Sequence, residues 1–172
     1  DVNLLKKLGK KFNYKLLKIN PYKHKKQLVS STRIRKFLQN GNILEANRLL
    51  SRVWSISGNV IRGKSLGRKL GYRTCNIRIK NYILPKAGIY AVKILVENKK
   101  KFLKGIAYLG TRPTFQGKEI FLEINIFNFK ENLYKKKLKV YFLKFIRRDR
   151  KFKSSAALIK QMNKDVISAK KV

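Results

Sequence analysis

The spacing of apolar residues changes once along the chain, near Trp54. Before it, they recur at helical intervals. Leu4, Leu5 and Leu8 predict a short helix. Tyr14 to Asn20 alternates weakly and predicts a strand. Asn20-Pro21 and the basic run Lys23 to Lys26 predict a loop. Two helices follow. Ser30, Ser31 and Thr32 can cap the first, and Ile34, Phe37 and Leu38 share one of its faces. Asn40-Gly41 stops it. Asn42 and Glu45 stand at capping-box spacing at the start of the second, which carries Ile43, Ala46, Leu49 and Leu50 on one face.

After Trp54 the period becomes two, the signature of half-buried strands. Strands are predicted near Ser55 to Ile61, Thr74 to Ile79, Ile89 to Val96, Phe102 to Leu109, Glu119 to Phe127 and Leu138 to Phe145. No long helix separates them, which argues against a parallel sheet and for a closed antiparallel barrel. Ser154 can cap a last helix with Leu158, Ile159, Met162 and Val166 on its apolar face. The expected fold is therefore mainly β: a six-stranded antiparallel barrel with a C-terminal helix, preceded by a short α/β segment with two helices.

Charge changes this picture least where it is most extreme. The chain has 44 Lys and Arg against 8 Asp and Glu, a formal charge of +36. One reading is a nucleic-acid binder. The other is a Lys-, Asn- and Ile-rich composition spread over every segment. The lysines favour the second, since they fall in turns (Asn98 to Lys101) and strand edges (Lys135 to Lys137) rather than on one face. No specific nucleic acid is expected, only weak electrostatic attraction to polyanions. No apolar run is long enough to span a membrane. The single cysteine, Cys75, permits no internal disulfide and fits a cytoplasmic protein. The first residue is Asp1 rather than Met, as expected of a piece of something longer.

Three places could carry chemistry. Arg62 to Gly71 holds three glycines and four basic residues in ten positions. Such a loop can turn backbone N–H groups onto a phosphate, or it can be a flexible basic hairpin. It lacks the Walker spacing. Thr74 and Asn76 lie two residues apart, on one face of a strand, where two neutral oxygens can share Mg²⁺ with phosphates and water. Glu123 sits in the apolar run Ile120 to Phe127, on the face of Phe121, Asn125 and Phe127. It is either paired with a cation or poised as a base. His24, the only histidine, reads as a solvated loop residue, and with one His and one distant Cys no His-based triad or zinc site is available.

Taken in order, these pieces resemble the riboflavin kinase (flavokinase) family. Arg73-Thr74-Cys75-Asn76 stands where that family typically reads Pro-Thr-Ala-Asn. Gly88-Ile89-Tyr90-Ala91-Val92, Leu109 to Phe115, Leu122-Glu123, Leu133-Tyr134, Phe145-Ile146-Arg147 and Lys151 to Ser154 continue the match over nearly all of residues 53 to 168. The resemblance implies a Greek-key barrel that phosphorylates riboflavin from Mg-ATP, yielding FMN and ADP. Thr74 and Asn76 would hold Mg²⁺ and the phosphates, and Gly63 and Arg68 would line the phosphate loop. Glu123 would be the general base. Ile126, Asn128 and Tyr134 would neighbour the adenine, and Arg147, Arg150 and Phe152 the flavin. The sequence departs from the pattern at Arg73 (usually Pro), Cys75 (Ala), Lys135 (Gly), Arg148 (Pro) and Asn128 (often Asp in bacteria).

Val29 to Arg35, with Ser30, Ser31, Thr32 and Arg35, is similar to a motif late in the FMN adenylyltransferase domain that precedes the kinase in bacterial FAD synthetases. Residues 1 to 52 would then be the tail of such a domain and 53 to 172 the kinase barrel. That domain's His-containing N-terminal motif is absent from this chain, so no adenylyltransferase activity is expected of it. The rival readings are a basic barrel binding nucleic acid and a catalytically decayed remnant of a bifunctional enzyme.

Overall fold

The alternation that begins at Ser55 closes into a barrel in the structure, a computed structural model that describes residues 1–63, 71–79, 81–114 and 117–172. The side chains of residues 112–114 and 117–119 are left undescribed. The chain divides into two compact units, Asp1–Ser30 and Ser31–Val172.

In the first unit, helix α1 (Val2–Lys11) is capped by Asp1, whose carboxylate accepts from the Asn3 amide at 3.0 Å. Lys10 and Lys11 in its last turn suit the negative end of the helix dipole. The strand expected over Tyr14 to Asn20 does not form. Tyr14 instead folds back on the helix, its amide donating to the Gly9 carbonyl at 3.0 Å and its hydroxyl to that of Leu5 at 2.9 Å. The basic run beyond holds a tight hairpin, β1 (Lys23–His24) and β2 (Gln27–Leu28). Its two turn residues, Lys25 and Lys26, have φ of 50° and 62°, the left-handed pair that a two-residue hairpin turn needs. His24 is half-buried there, and its Nε2 is buried without a hydrogen-bond partner.

The second unit opens with α2 (Ser31–Asn40) and α3 (Ile43–Leu50). Gly41, at φ 80°, makes the left-handed turn between them. The Asn42 side chain makes no capping bond, and Glu45 pairs with Arg48 on its own helix instead. Six strands follow: β3 (Ser55–Ile61), β4 (Cys75–Arg78), β5 (Gly88–Val96), β6 (Leu103–Thr114), β7 (Gly117–Ile126) and β8 (Lys137–Arg147). They form a closed antiparallel barrel in the order β3-β4-β7-β6-β5-β8, with β8 returning to β3. Closure leaves no unpaired edge strand. β4 pairs with β7 rather than with β5, the crossover of a Greek key.

The inward residues are apolar. Ile56, Ile77, Ile94, Leu122, Val140 and Phe142 are all essentially inaccessible to solvent. Fully burying each such side chain is worth about 1.5–3 kcal/mol. Helix α4 (Ser155–Lys170) packs outside, over β5, β6 and β8, capped by Ser154 Oγ accepting from the Ala157 amide at 3.2 Å. Asn47 of α3 ties the leading helices to the barrel. Its Nδ2 donates to the Phe142 carbonyl at 2.9 Å, and its Oδ1 accepts from the Trp54 amide at 2.8 Å. Asn47→Ala strands both backbone groups and is expected to destabilise the protein by about 1–3 kcal/mol, read as a lower urea midpoint at unchanged m-value.

Candidate active site

Alternation that sends Leu122, Ile124 and Ile126 inward sends Phe121, Glu123 and Asn125 outward on β7. Register then fixes the neighbours of Glu123. Asn76 lies directly opposite it on β4, and Tyr108 on β6. Thr74, just before β4, donates its hydroxyl to Glu123 Oε1 at 2.6 Å. Two positions on, Asn125 donates to the Arg73 carbonyl at 2.7 Å. The two outward side chains of β7 thus fasten the Arg73-Thr74 segment to the sheet.

Two clefts meet at this point. The larger, ≈ 580 Å³, is the more polar of the two: Arg62, Gly63, Asn76, Lys130, Asn132 and Tyr134 share its walls with Ile124, Ile126 and Leu133. The smaller, ≈ 380 Å³, is mostly apolar, walled by Ile89, Ile106, Ala107, Leu158, Met162 and Val166, with Glu123 also lining it. Thr74 lines both.

The backbone of Gly63 lies against the amide of Asn76. A Cβ at position 63 would come within 2.0 Å of Asn76 Nδ2 and 3.6 Å of Oδ1. That packing leaves Asn76 only 7% exposed and its amide oxygen on the side away from Gly63. Arg62 stacks over the Tyr134 ring at 5.3 Å on the far wall. Cys75 points the other way and packs against the core. Burial pushes its thiol up to about 12, with the charge of Glu123 adding to the rise and a backbone hydrogen bond opposing it. It is a small apolar filler at neutral pH rather than a nucleophile.

In the apolar cleft, Tyr108 donates to Asp149 Oδ2 at 2.7 Å. Burial first, then that bond and the charges of Asp149 and Glu123, hold its phenol above the usual range. It stays a protonated donor at neutral pH. Arg147 reaches the buried Asp165 of α4, with Nη2 2.7 Å from Oδ2. The guanidinium groups of Arg147 and Arg150 lie over the ring of Phe152 at 5.7 and 5.0 Å.

The sequence-derived site residues sort onto these two clefts. Gly63, Thr74, Asn76, Ile126 and Tyr134 line the polar one, and Glu123, Arg147, Arg150 and Phe152 the apolar one. Asn128 occupies a left-handed turn just after β7, at φ 54°, and is not among the cleft walls. Arg68 lies outside the described residues. Ser31, Thr32 and Arg35 fall in the first turns of α2, Ser30 immediately precedes it, and none of the four lines either cleft. Sequence reasoning missed Tyr108, Asn125, Asp149 and Asp165 as site residues. Asp165 did leave a signal, since it lies seven residues after Leu158 and three after Met162, within the apolar stripe of the last helix.

The Greek-key barrel thus carries two neighbouring clefts of different polarity, joined at a Thr–Glu pair. The sequence profile of the riboflavin kinase (flavokinase) family matches residues 50–172, and the chain belongs to that family. It is 41% identical over 174 residues to the bifunctional riboflavin kinase/FMN adenylyltransferase of Buchnera aphidicola subsp. Schizaphis graminum, covering 99% of this chain and 55% of that one. To the protein of the same name from Escherichia coli K12 it is 32% identical over 170 residues, covering 99% and 54%. The chain thus spans about half the length of the curated relatives it matches. Among solved structures it is similar to one titled macrolide-efflux protein from Streptococcus pneumoniae, with TM-score 0.82 and 33% identity, covering 93% of this chain and 52% of that one.

Gly63→Ala tests the contact with Asn76. Forcing a methyl into that packing is expected to destabilise the protein by about 1–3 kcal/mol, read as a lower urea midpoint at unchanged m-value.

Proposed function

We propose that this chain transfers the γ-phosphate of Mg-ATP to the terminal hydroxyl of riboflavin. The observation that carries the reading is the Thr74–Glu123 hydrogen bond at the meeting point of the two clefts. ATP occupies the polar cleft, with its adenine near Ile126 and Tyr134 and its phosphates towards Gly63, Thr74 and Asn76. The isoalloxazine lies in the apolar cleft against Arg147, Arg150 and Phe152, so its ribityl chain extends towards Glu123.

The chemistry is mostly positioning and charge neutralisation. Thr74 donates its hydroxyl hydrogen bond to Glu123, which leaves its oxygen lone pairs free for the nucleotide side. The Thr74 hydroxyl and the Asn76 amide oxygen are hard neutral donors in a polar cleft, a set that suits a divalent cation shared with phosphates and water. When bound there, Mg²⁺ would neutralise charge on the β- and γ-phosphates. Glu123 orients the primary alcohol and accepts its proton as the new O–P bond forms and the bond from the γ-phosphorus to the ADP oxygen breaks. The apolar walls exclude water from the transferring group.

Residues 1 to 52 are read as the tail of an FMN adenylyltransferase domain, on the strength of the Ser30-Ser31-Thr32 motif and of relatives that carry both names. The remainder of such a domain is the partner this reading implies. Among the described residues no helix is long and apolar enough to cross a membrane. An ATP-dependent reaction and a single free thiol fit a cytoplasmic setting.

The deciding experiment incubates the 172-residue chain with riboflavin, Mg²⁺ and excess ATP and separates the flavins. FMN is expected to accumulate and FAD to be absent, because a helix start alone is a weak nucleotide site. No FMN overturns the kinase reading, and FAD at a comparable rate overturns the reading of the N-terminal segment. Glu123→Gln keeps an acceptor for Thr74 but removes the base. It should lower kcat by roughly 10²- to 10⁴-fold with little change in riboflavin binding.

A further inference from the structure

The chain has eight carboxylates, and three of them, Glu123, Asp149 and Asp165, line the apolar cleft. Asp165 is the most deeply buried, at 3% exposure, and stands on α4 beside Met162 and Val166. A buried carboxylate is costly unless it is paired and its lone pairs are filled. Here they are filled by groups of the cleft itself. Arg147 Nε donates to both carboxylate oxygens at 3.0 Å, and Nη2 to Oδ2 at 2.7 Å. Gln161 Nε2 donates to Oδ1 at 2.7 Å, and the Gln161 carbonyl oxygen in turn accepts from Arg150. The remaining arm of Arg147, Nη1, donates to the Arg148 carbonyl at 2.9 Å. Asp165 therefore sets one guanidinium directly and the other through Gln161, and both lie over Phe152.

We propose that Asp165 is a positioning residue for riboflavin, holding Arg147, Arg150 and Phe152 as one rigid wall of the apolar cleft. This rests on the riboflavin kinase reading of that cleft. Two physical effects follow. The wall is already ordered before the flavin arrives, so binding does not have to immobilise two long side chains and a ring. The ion pair also presents an uncharged isoalloxazine with a neutral dipole instead of an uncompensated guanidinium, which would hold water in the cleft. Asp165 does not touch the reacting atoms in this scheme, and its effect is on flavin affinity.

Asp165→Asn keeps the shape and removes the charge. Riboflavin affinity is read by quenching of its fluorescence in the presence of Mg-ADP, and Mg-ADP affinity separately by calorimetry. Riboflavin is expected to bind about 10- to 100-fold more weakly, with Mg-ADP affinity held within about twofold. In an Arg147→Met background the same substitution should add little, because the group it positions is gone. Circular dichroism checks that each variant folds. Should Asp165→Asn fail to fold, Gln161→Leu decides in its place: it keeps the Arg147–Asp165 pair, releases Arg150, and should weaken riboflavin several-fold, again without touching Mg-ADP. Unchanged riboflavin affinity in the folded variant overturns the proposal. So does an equal loss for both ligands, which is what a merely structural residue would give. A parent chain that does not quench riboflavin at all overturns the cleft reading itself, and this proposal with it.

Discussion

Closure of six strands leaves no room inside. Interior side chains already fill barrels of eight strands, and a six-stranded one is narrower. Ile56, Ile77, Ile94, Leu122 and Val140 pack the space completely. Any ligand must therefore bind on the outer face or at a rim, using the residues that alternation sends outward and, at the rim, core residues such as Ile126. That one constraint decides where Glu123, Asn76 and Tyr108 point. It also requires walls supplied from outside the barrel. Gly63, just after β3, supplies one, and α4 supplies the other, at Leu158, Met162 and Asp165.

The Greek-key crossover determines which outward residues meet. A meander would have laid β4 beside β5. Pairing it with β7 instead sets Asn76 opposite Glu123 and brings Thr74 to a carboxylate 49 residues away. With β6 on the other side of β7, Tyr108 completes the row. The polar cleft then opens towards β3 and the residues after β7, and the apolar cleft towards β6, β8 and α4. The Thr74–Glu123 pair stands between them because β7 is the strand with β4 on one side and β6 on the other.

Most of this fold was legible as periodicity. β3 runs over Ser55 to Ile61, as the alternation predicts. β6 and β7 run past their expected hairpin ends, to Thr114 and from Gly117, because each lends the other a ladder that residue-by-residue hydropathy cannot register. Tyr14 to Asn20 failed in the opposite way: a weak alternation with no strand to pair with makes no sheet, and Tyr14 found backbone partners on α1 instead. In the site, the shared face of Thr74 and Asn76 and the isolation of Glu123 followed from spacing alone. Their meeting did not, since it depends on strand order. The hold of Asn125 on Arg73 and of Asp165 on Arg147 joins separate elements, and no local pattern encodes such pairs.

The carboxylates show how so basic a chain remains organised. With 44 cations and 8 anions, general charge pairing is impossible, and mutual repulsion works against the compact state. The anions whose contacts are described are spent locally. Asp1 caps α1, Glu45 and Glu131 each take one cation, and Glu97 accepts from the Lys137 amide. The remaining three gather at the apolar cleft, where the burial of Asp165 makes its contacts stronger than they would be in water. Surface pairs such as Glu131–Lys99 weaken as salt rises, whereas the buried Arg147–Asp165 pair is screened far less. Added salt therefore relieves the repulsion among exposed lysines without loosening the cleft. The electrostatics of the surface and of the site are in that sense separate, and the net charge is no guide to what the site binds.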